Sequence, residues 1–256
     1  MPTRENPALG TPIWIELNTT DIEAARRFYG GVFGWESEEP NQDFGGYVNF
    51  TRAGARVAGA MNMGGADWHV YLATEDATKI SEVAAAHGAQ VQQPAMDVGD
   101  LGRMAVLGDP SGARTGLWQA GAHPGFVSVG EPGAPSWFEL HTSDFRGSLD
   151  FYRDVFGLES MVVSDTDEFR YAVLSANGEQ VAGVADDSSH LAPGASFWRL
   201  YLWTADVDAS TAKVTELGGR VRRPAEDTPW GRVAEVSDPS GVVFSLQGAN
   251  DQMPAH

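Results

Sequence analysis

Cysteine is missing from this chain of 256 residues, which excludes disulfides, thiolate nucleophiles and cysteine-ligated metal sites. Long apolar runs are missing too, because no stretch approaches the roughly 18 residues that indicate a transmembrane helix. The sequence shows no charged-then-apolar leader that would indicate secretion. We therefore expect a chain that does not span a membrane, and the cytoplasm is its default location.

Basic residues are scarce, with 17 Lys and Arg against 35 Asp and Glu, so the net charge is −18. A charge of this sign argues against nucleic acid or an anionic membrane as the main partner. The glycine-rich dinucleotide motif and the phosphate-loop lysine motif are absent, as is the Gly-x-Ser-x-Gly elbow of many hydrolases. The sequence therefore predicts neither nucleotide chemistry nor Ser-His-Asp hydrolysis.

An internal repeat dominates what is present. The stretch Trp14–Trp35 returns as Trp137–Leu158, and each copy begins with an alternating run that predicts a strand. A helix follows, for which Thr20 or Ser143 is the predicted N-cap and Gly34 or Gly157 the predicted end. A second strand and helix follow within the first half at 67–74 and 76–87, and three closing strands end each half.

The repeat divides the chain into two domains of ordinary size. We predict an α+β fold of four tandem βαβββ units, forming two domains with curved mixed sheets that enclose cavities. The predicted boundaries are a tail at 1–11, a first domain at 12–120, a Gly- and Pro-rich linker at 121–135, a second domain at 136–248 and a tail at 249–256.

These repeated motifs resemble the vicinal oxygen chelate superfamily, which includes glyoxalase I, extradiol dioxygenases and bleomycin-resistance proteins. Two features carry the resemblance over residues 12–248. One is an Asp…Phe-Tyr…Phe-Gly pattern, and the other is an Asp-Pro-Ser-Gly turn before the last strand of each half. The pattern falls on Asp21, Phe28, Tyr29, Phe33 and Gly34, and again on Asp144, Phe151, Tyr152, Phe156 and Gly157; the turns begin at Asp109 and Asp238.

The resemblance implies where a divalent metal would be held in members that are enzymes. Eight positions of this sequence correspond: Trp14, Ala58, His69, Gly116, Trp137, Ala182, Arg199 and Ser245. Only His69 carries an ordinary metal ligand, whereas a stable site needs three or four nitrogen or oxygen ligands. We therefore expect no metal ion and no other cofactor.

Strand alternation predicts the side chains on the cavity faces. Aromatic and polar residues converge there, which is typical of a pocket for a planar ligand. The predicted ligand-binding residues are Trp14, Tyr71, Arg114, Trp118, Trp137, Arg199, Tyr201, Trp203 and Gln247. Two pairs could serve in acid–base catalysis, Glu139 with His141 and Glu16 with His69.

The first hypothesis is a metal-independent binder of a planar organic compound, such as an antibiotic or a natural-product intermediate. The alternative is an enzyme of the same superfamily, an oxygenase or hydroxylase, a lyase or an isomerase, which uses a relocated metal site or a Glu/His pair. A third possibility, a structural or protein-interaction module, predicts pockets filled by their own side chains. The sequence leaves open whether one or both halves bind, and whether the chain is a monomer or a homodimer.

Overall fold

The computed structural model describes residues 7–126 and 128–253. The ends of both predicted tails, at 1–6 and 254–256, and linker residue 127 lie outside the described residues. Within the described part, no helix is long and apolar enough to cross a membrane.

The first half contains two βαβββ units in one sheet. The first unit comprises β1 (Pro12–Asn18), α1 (Ile22–Phe33), β2 (Glu36–Ser37), β3 (Val48–Arg52) and β4 (Ala55–Met61). The second comprises β5 (Asp67–Ala73), α2 (Ala77–Ala86), β6 (Gln90–Val98), β7 (Gly102–Gly108) and β8 (Arg114–Ala120). The eight strands lie in the order β2-β3-β4-β1-β5-β8-β7-β6.

The second half repeats this arrangement. Its first unit comprises β9 (Pro135–Thr142), α3 (Phe145–Phe156), β10 (Glu159–Asp165), β11 (Arg170–Ala176) and β12 (Glu179–Asp186). Its second comprises β13 (Phe197–Trp203), α4 (Val207–Glu216), β14 (Arg220–Thr228), β15 (Gly231–Ser237) and β16 (Val243–Gly248). The order β10-β11-β12-β9-β13-β16-β15-β14 matches the first sheet strand for strand, so the predicted fold class is confirmed.

The helix ends follow the sequence closely, with one correction. Asp21 and Asp144, rather than Thr20 and Ser143, are the N-caps, since each carboxylate accepts a hydrogen bond from a backbone N–H in the first turn. Gly34 and Gly157 end the helices in the left-handed conformation, as predicted.

Two buried hydrogen bonds join the halves reciprocally. The Tyr29 hydroxyl on α1 donates to Asp238 Oδ2 in the second half, at 3.3 Å. The Tyr152 hydroxyl on α3 donates to Asp109 Oδ2 in the first half, at 3.0 Å. Each aspartate begins an Asp-Pro-Ser-Gly turn, so the two motifs that carry the repeat meet across the junction.

The segment before β1 is not the surface tail that the sequence predicts. Its Gly10 N–H donates to the carbonyl of Ala73, and Gly10 and Thr11 are buried. Gly10 has a φ of +79°, and a Cβ at this position would lie only 2.9 Å from the Cβ of Phe156. Residues 8–11 therefore pack between the halves.

We expect Tyr29→Phe and Tyr152→Phe each to lower the free energy of unfolding by about 1–2 kcal/mol, because each removes a buried hydrogen bond and leaves an aspartate oxygen without its donor. Urea denaturation followed by circular dichroism measures the change. The exposed Glu168→Gln is the control, and a loss no larger than the control's would show that these bonds do not stabilise the junction.

Candidate functional site

The two sheets present matching sets of side chains on the face away from the helices. In the first half, Trp14 pairs in register with Tyr71, and Glu16 with His69. In the second half, Trp137 pairs with Tyr201, and Glu139 with Arg199. The alternation predicted from the sequence thus brings these eight residues to the two cavity faces.

A hydrogen-bond network recurs at the base of both cavities. The indole N–H of Trp14 donates to the Tyr47 hydroxyl at 2.8 Å, and the Tyr71 hydroxyl donates to Glu16 Oε1 at 3.2 Å. In the second half, the corresponding bonds join Trp137 to Tyr171 at 3.1 Å and Tyr201 to Glu139 at 3.0 Å.

Sequence reasoning missed Tyr47 and Tyr171. Each reaches the base of its cavity across a glycine, Gly59 or Gly183, where a Cβ would collide with the tyrosine hydroxyl. The available signal was a glycine within a predicted strand, because such a glycine often marks a place where another group approaches the backbone closely.

The two buried glutamates differ in their electrostatics. Burial raises the pKa of Glu16, and this outweighs the opposing effects of His69 and the tyrosine hydroxyls. Burial also acts to raise the pKa of Glu139, but the neighbouring His141 together with Tyr171 and Tyr201 leaves that pKa below its usual value. Glu139 is therefore the more readily ionised of the pair.

The first cavity is filled by the segment that the sequence interprets as a linker. The His123 ring packs edge-on against Trp14, with ring centroids 4.4 Å apart. The backbone carbonyl of His123 accepts a hydrogen bond from the Trp118 indole at 2.9 Å. Phe126 stacks on Trp14 with ring centroids 6.5 Å apart. Burial lowers the pKa of His123 to about 4, so this ring is neutral at pH 7.

The second cavity is more accessible than the first, and we call it the open cavity. The side chains of Glu139 and His141 are 12% and 16% exposed, against 9% and 4% for Glu16 and His69. Trp137, Arg199 and Tyr201 are likewise partly exposed, whereas their first-half counterparts are buried. Among the described residues that follow β16, Asn250 donates to the carbonyl of Thr228, and Met253 Sδ lies 3.1 Å from where a Cβ of Gly231 would be.

His141 lies between two carboxylates in the open cavity. Its Nδ1 is 3.2 Å from Asp187 Oδ2 and its Nε2 is 2.9 Å from Glu139 Oε1. The second contact is close but poorly aligned, because Nε2 is buried without a hydrogen-bond partner among the described residues. The ring also stacks on Phe197 with centroids 5.0 Å apart. Asp187 and Phe197 were not predicted from the sequence.

The remaining predicted site residues lie farther from this centre. Arg199 is ion-paired with Glu235, and its guanidinium lies 5.2 Å above the Phe197 ring. Gln247 donates to the carbonyl of Trp230 at 3.0 Å. Trp203 pairs with Gln247 in register, and Arg114 is exposed at the start of β8 in the filled half.

An aromatic cluster with two exposed members, Phe169 and Trp230, extends from Tyr171 of the open cavity towards solvent. Tyr171 comes from β11 and Trp230 from the β14–β15 turn, which are opposite arms of the sheet, yet their ring centroids are 6.2 Å apart. The sheet must therefore curl for these arms to meet. Phe169 stacks on Tyr171, and Phe169 and Trp230 are 43% and 52% exposed. Such a patch is typical of a ligand-binding mouth.

A separate cleft of about 340 Å³ lies where the halves join, lined by residues that include Gly88, Pro110 and Gly194. Its carboxylate, Asp109, already accepts hydrogen bonds from Tyr152, Ser111 and Ala113. The side chains that could bind or act on a ligand therefore lie in the aromatic cavities rather than in this cleft.

The positions that the resemblance assigns to a metal do not suit one. Trp14, His69 and Gly116 in the first half, and Trp137, Arg199 and Ser245 in the second, offer one imidazole and one hydroxyl between two cavities. Ala58 and Ala182 were placed wrongly, since Ala58 pairs with Phe50, which packs against Tyr29 of α1, and Ala182 pairs with the buried Leu174. The cavity-facing residues of these strands are Gly59 and Gly183. Among the described residues, no three His, Asp or Glu side chains are grouped to hold a metal ion.

The fold, two sheets of paired βαβββ units with a cavity on each, defines a glyoxalase-like protein. Residues 135–246 match the model of the glyoxalase/bleomycin resistance protein/dioxygenase superfamily, and residues 14–117 match that of the glyoxalase-like domain. The chain belongs to this superfamily.

Two relatives match almost end to end. The putative glyoxylase CFP32 of Mycobacterium tuberculosis is 37% identical, over 96% of this chain and 97% of the relative. The anthracycline biosynthesis protein DnrV of Streptomyces peucetius is 33% identical, over 97% and 96%. Among solved structures, the Mn(II)-bound glyoxalase from Novosphingobium aromaticivorans superposes with a TM-score of 0.68 at 15% identity, over 97% of this chain and 89% of that one, which shows a shared fold.

The two glutamates should give opposite pH dependences of stability. The pKa of Glu139 is lowered by folding, so its contribution is present above the usual value near 4.5 and is lost as the pH falls through the folded-state value. The pKa of Glu16 is raised, so its contribution is present below that value and is lost as the pH rises. Wild type should therefore lose stability relative to Glu139→Gln as the pH falls below about 4.5, and should lose stability relative to Glu16→Gln as the pH rises above about 4.5.

Urea denaturation of the three proteins at pH 4, 5.5 and 7 measures these differences. The two variants are matched controls for each other, because they make the same change at corresponding positions. Slopes of the same sign would contradict the electrostatic difference between the cavities.

Proposed function

We propose that this chain binds a planar organic compound in the cavity of its second half, held by ring contacts and hydrogen bonds without a metal ion. The observation that carries the proposal is the asymmetry between the halves. The same aromatic and carboxylate wall is sealed by His123 and Phe126 in the first half and is accessible in the second.

The wall of the open cavity suits a flat, conjugated ligand. Trp137, Phe197 and Tyr201 offer ring surface, and Phe169 and Trp230 extend this surface to the mouth. Stacked or edge-on ring contacts contribute about 0.5–1.5 kcal/mol each beyond the area that they bury. Glu139 supplies an acceptor for a hydroxyl or amine of the ligand.

The identity of one relative supports the same class of compound. A protein that is 33% identical over nearly the whole chain is named for anthracycline biosynthesis, and anthracyclines are built on fused planar rings. We infer an antibiotic or a natural-product intermediate as the ligand, and a role in its biosynthesis or sequestration.

We expect Trp137→Ala to weaken binding of the neutral probe 2-(hydroxymethyl)anthraquinone on the order of tenfold, since it removes the largest ring of the open wall. Isothermal titration calorimetry measures the affinity, which avoids reliance on the fluorescence of the deleted indole. Trp14→Phe, in the filled cavity, is the matched control and should bind as wild type does.

The same titration after dialysis against EDTA tests the metal-free part of the proposal, and the affinity should be unchanged. An affinity that needs an added divalent ion, or one that falls equally in both tryptophan variants, would overturn the assignment to an open, metal-free second cavity.

A second candidate function, acid–base catalysis on the bound compound, is favoured by one observation. Glu139 lies against His141, whose other nitrogen contacts Asp187, so an ionised carboxylate and an oriented imidazole meet in an accessible cavity. In this candidate, Glu139 takes a proton from the carbon beside a ketone and the C–H electron pair forms the enolate; the protonated Glu139 then returns the proton to the other face or to a different carbon of the enolate, which completes an isomerisation.

The catalytic candidate predicts exchange of the α-protons of 1-tetralone in D₂O, measured by NMR, faster than the buffer rate. Glu139→Gln should abolish the enhancement because a neutral amide cannot accept the proton, whereas Glu16→Gln, in the filled cavity, should retain it. Equal exchange rates in wild type and Glu139→Gln would exclude this role for Glu139.

A further inference from the structure

Three arginines lie together on β14, the edge strand of the open half. Arg220, Arg222 and Arg223 are all exposed in a chain whose net charge is −18. Within the described part of the chain, none of the three forms an ion pair; the carboxylate beside Arg223 in register, Glu235, is paired with Arg199 instead.

The internal repeat shows that the fold does not need these charges. The corresponding strand of the first half, β6, reads Gln-Val-Gln-Gln-Pro-Ala from Gln90, where β14 reads Arg-Val-Arg-Arg-Pro-Ala from Arg220. Both strands are nine residues long, have the same burial pattern and shift register at the same places. The backbone is therefore equivalent, and the difference is that three amides have become three guanidinium groups in the half whose cavity is open.

Arg220 and Arg223 lie on the cavity side of β14, and Arg222 lies at the register shift between them. Arg223 is beside Glu235, which pairs in register with Ser245 on the cavity face. The charge of Arg223 also acts on Arg199, whose pKa is lowered chiefly by burial and further by this neighbour. Arg220 pairs in register with Ser237. Because Ser237 follows Val236 in β15, and Val236 and its partner Phe244 face the helices, Arg220 and Ser237 lie on the opposite side of the sheet.

The charges inside and outside the cavity differ in sign. Glu139 and Asp187 are carboxylates within it, and the one guanidinium beside them, Arg199, is already paired with Glu235, so an anionic group would be repelled there. At the β14 edge, the same anionic group would meet guanidinium donors that have no carboxylate partner among the described residues, and guanidinium recognises carboxylate and phosphate oxygens well. A ligand with a planar body and an anionic substituent would therefore bind with its rings inside and its anion at this edge.

We propose that the ligand of the second cavity is a planar aromatic compound that carries an anionic substituent, which Arg220, Arg222 and Arg223 bind at the β14 edge of the sheet. This inference rests on the proposed function and adds to it the charge and orientation of the ligand.

The test compares anthraquinone-2-carboxylate with 2-(hydroxymethyl)anthraquinone, which has a similar ring system without the charge. Wild type should bind the carboxylate about tenfold more tightly in 50 mM NaCl, and the preference should shrink in 500 mM NaCl because salt screens exposed charges. The triple variant Arg220→Gln/Arg222→Gln/Arg223→Gln should lose the preference. Because it has the glutamines that β6 carries at the same positions, it is expected to fold, and circular dichroism checks this.

The reverse triple variant, Gln90→Arg/Gln92→Arg/Gln93→Arg, is the matched control. It adds the same charges to the edge of the filled half, so its preference for the carboxylate should equal that of wild type. This control separates binding at β14 from a general attraction of the anion to a less acidic protein. The assignment to β14 would be contradicted if the preference for the carboxylate rose in this variant by as much as it fell in the glutamine variant.

The outcomes separate the two proposals. If neither anthraquinone binds wild type, the proposed function fails. If both bind with equal affinity, if the neutral probe binds more tightly, or if the glutamine variant keeps its preference for the carboxylate, the anion site fails while the binding function stands.

Discussion

The contact between His123 and Trp14 is the constraint on which the interpretation of this molecule depends. It holds the His123 ring against Trp14 and Trp118, where the ring occupies space that a ligand would need. A neutral imidazole with a pKa of about 4 remains packed there at neutral pH without a charge to solvate. The halves are therefore alike in fold but unlike in access, and the connection between them both links the domains and closes one of them.

What the halves share explains why the site is rigid. Each cavity base contains a tryptophan, two tyrosines and a glutamate joined by hydrogen bonds, and each needs a glycine for the tyrosine to pass. A network that recurs in a sealed cavity has a structural role in both, since its groups are satisfied without a ligand. In the second half, the same network also faces solvent. The second half differs from the first in the residues around this shared network, namely His141, Asp187 and the β14 arginines.

Much of this arrangement could be predicted from the sequence, because repetition and strand alternation are local signals. The positions of Trp137, Glu139 and Tyr201 follow from period-two counting along two strands. Ala58 and Ala182 were assigned from the family resemblance by counting on from the preceding turn, and this failed because each strand contains a register shift, so that a slip of one residue reverses the face. The position of His123 could not be predicted, since a Gly- and Pro-rich segment has no periodicity that indicates what it packs against. Asp187, too, meets His141 only through the folding of the sheet.

The most direct test of the open-and-filled account is a crystal structure of the protein bound to anthraquinone-2-carboxylate. The account predicts one ring system per chain, lying against Trp137 in the second half, with His123 still packed between Trp14 and Trp118. Rings bound in the first cavity with His123 displaced, or rings in both cavities alike, would contradict it.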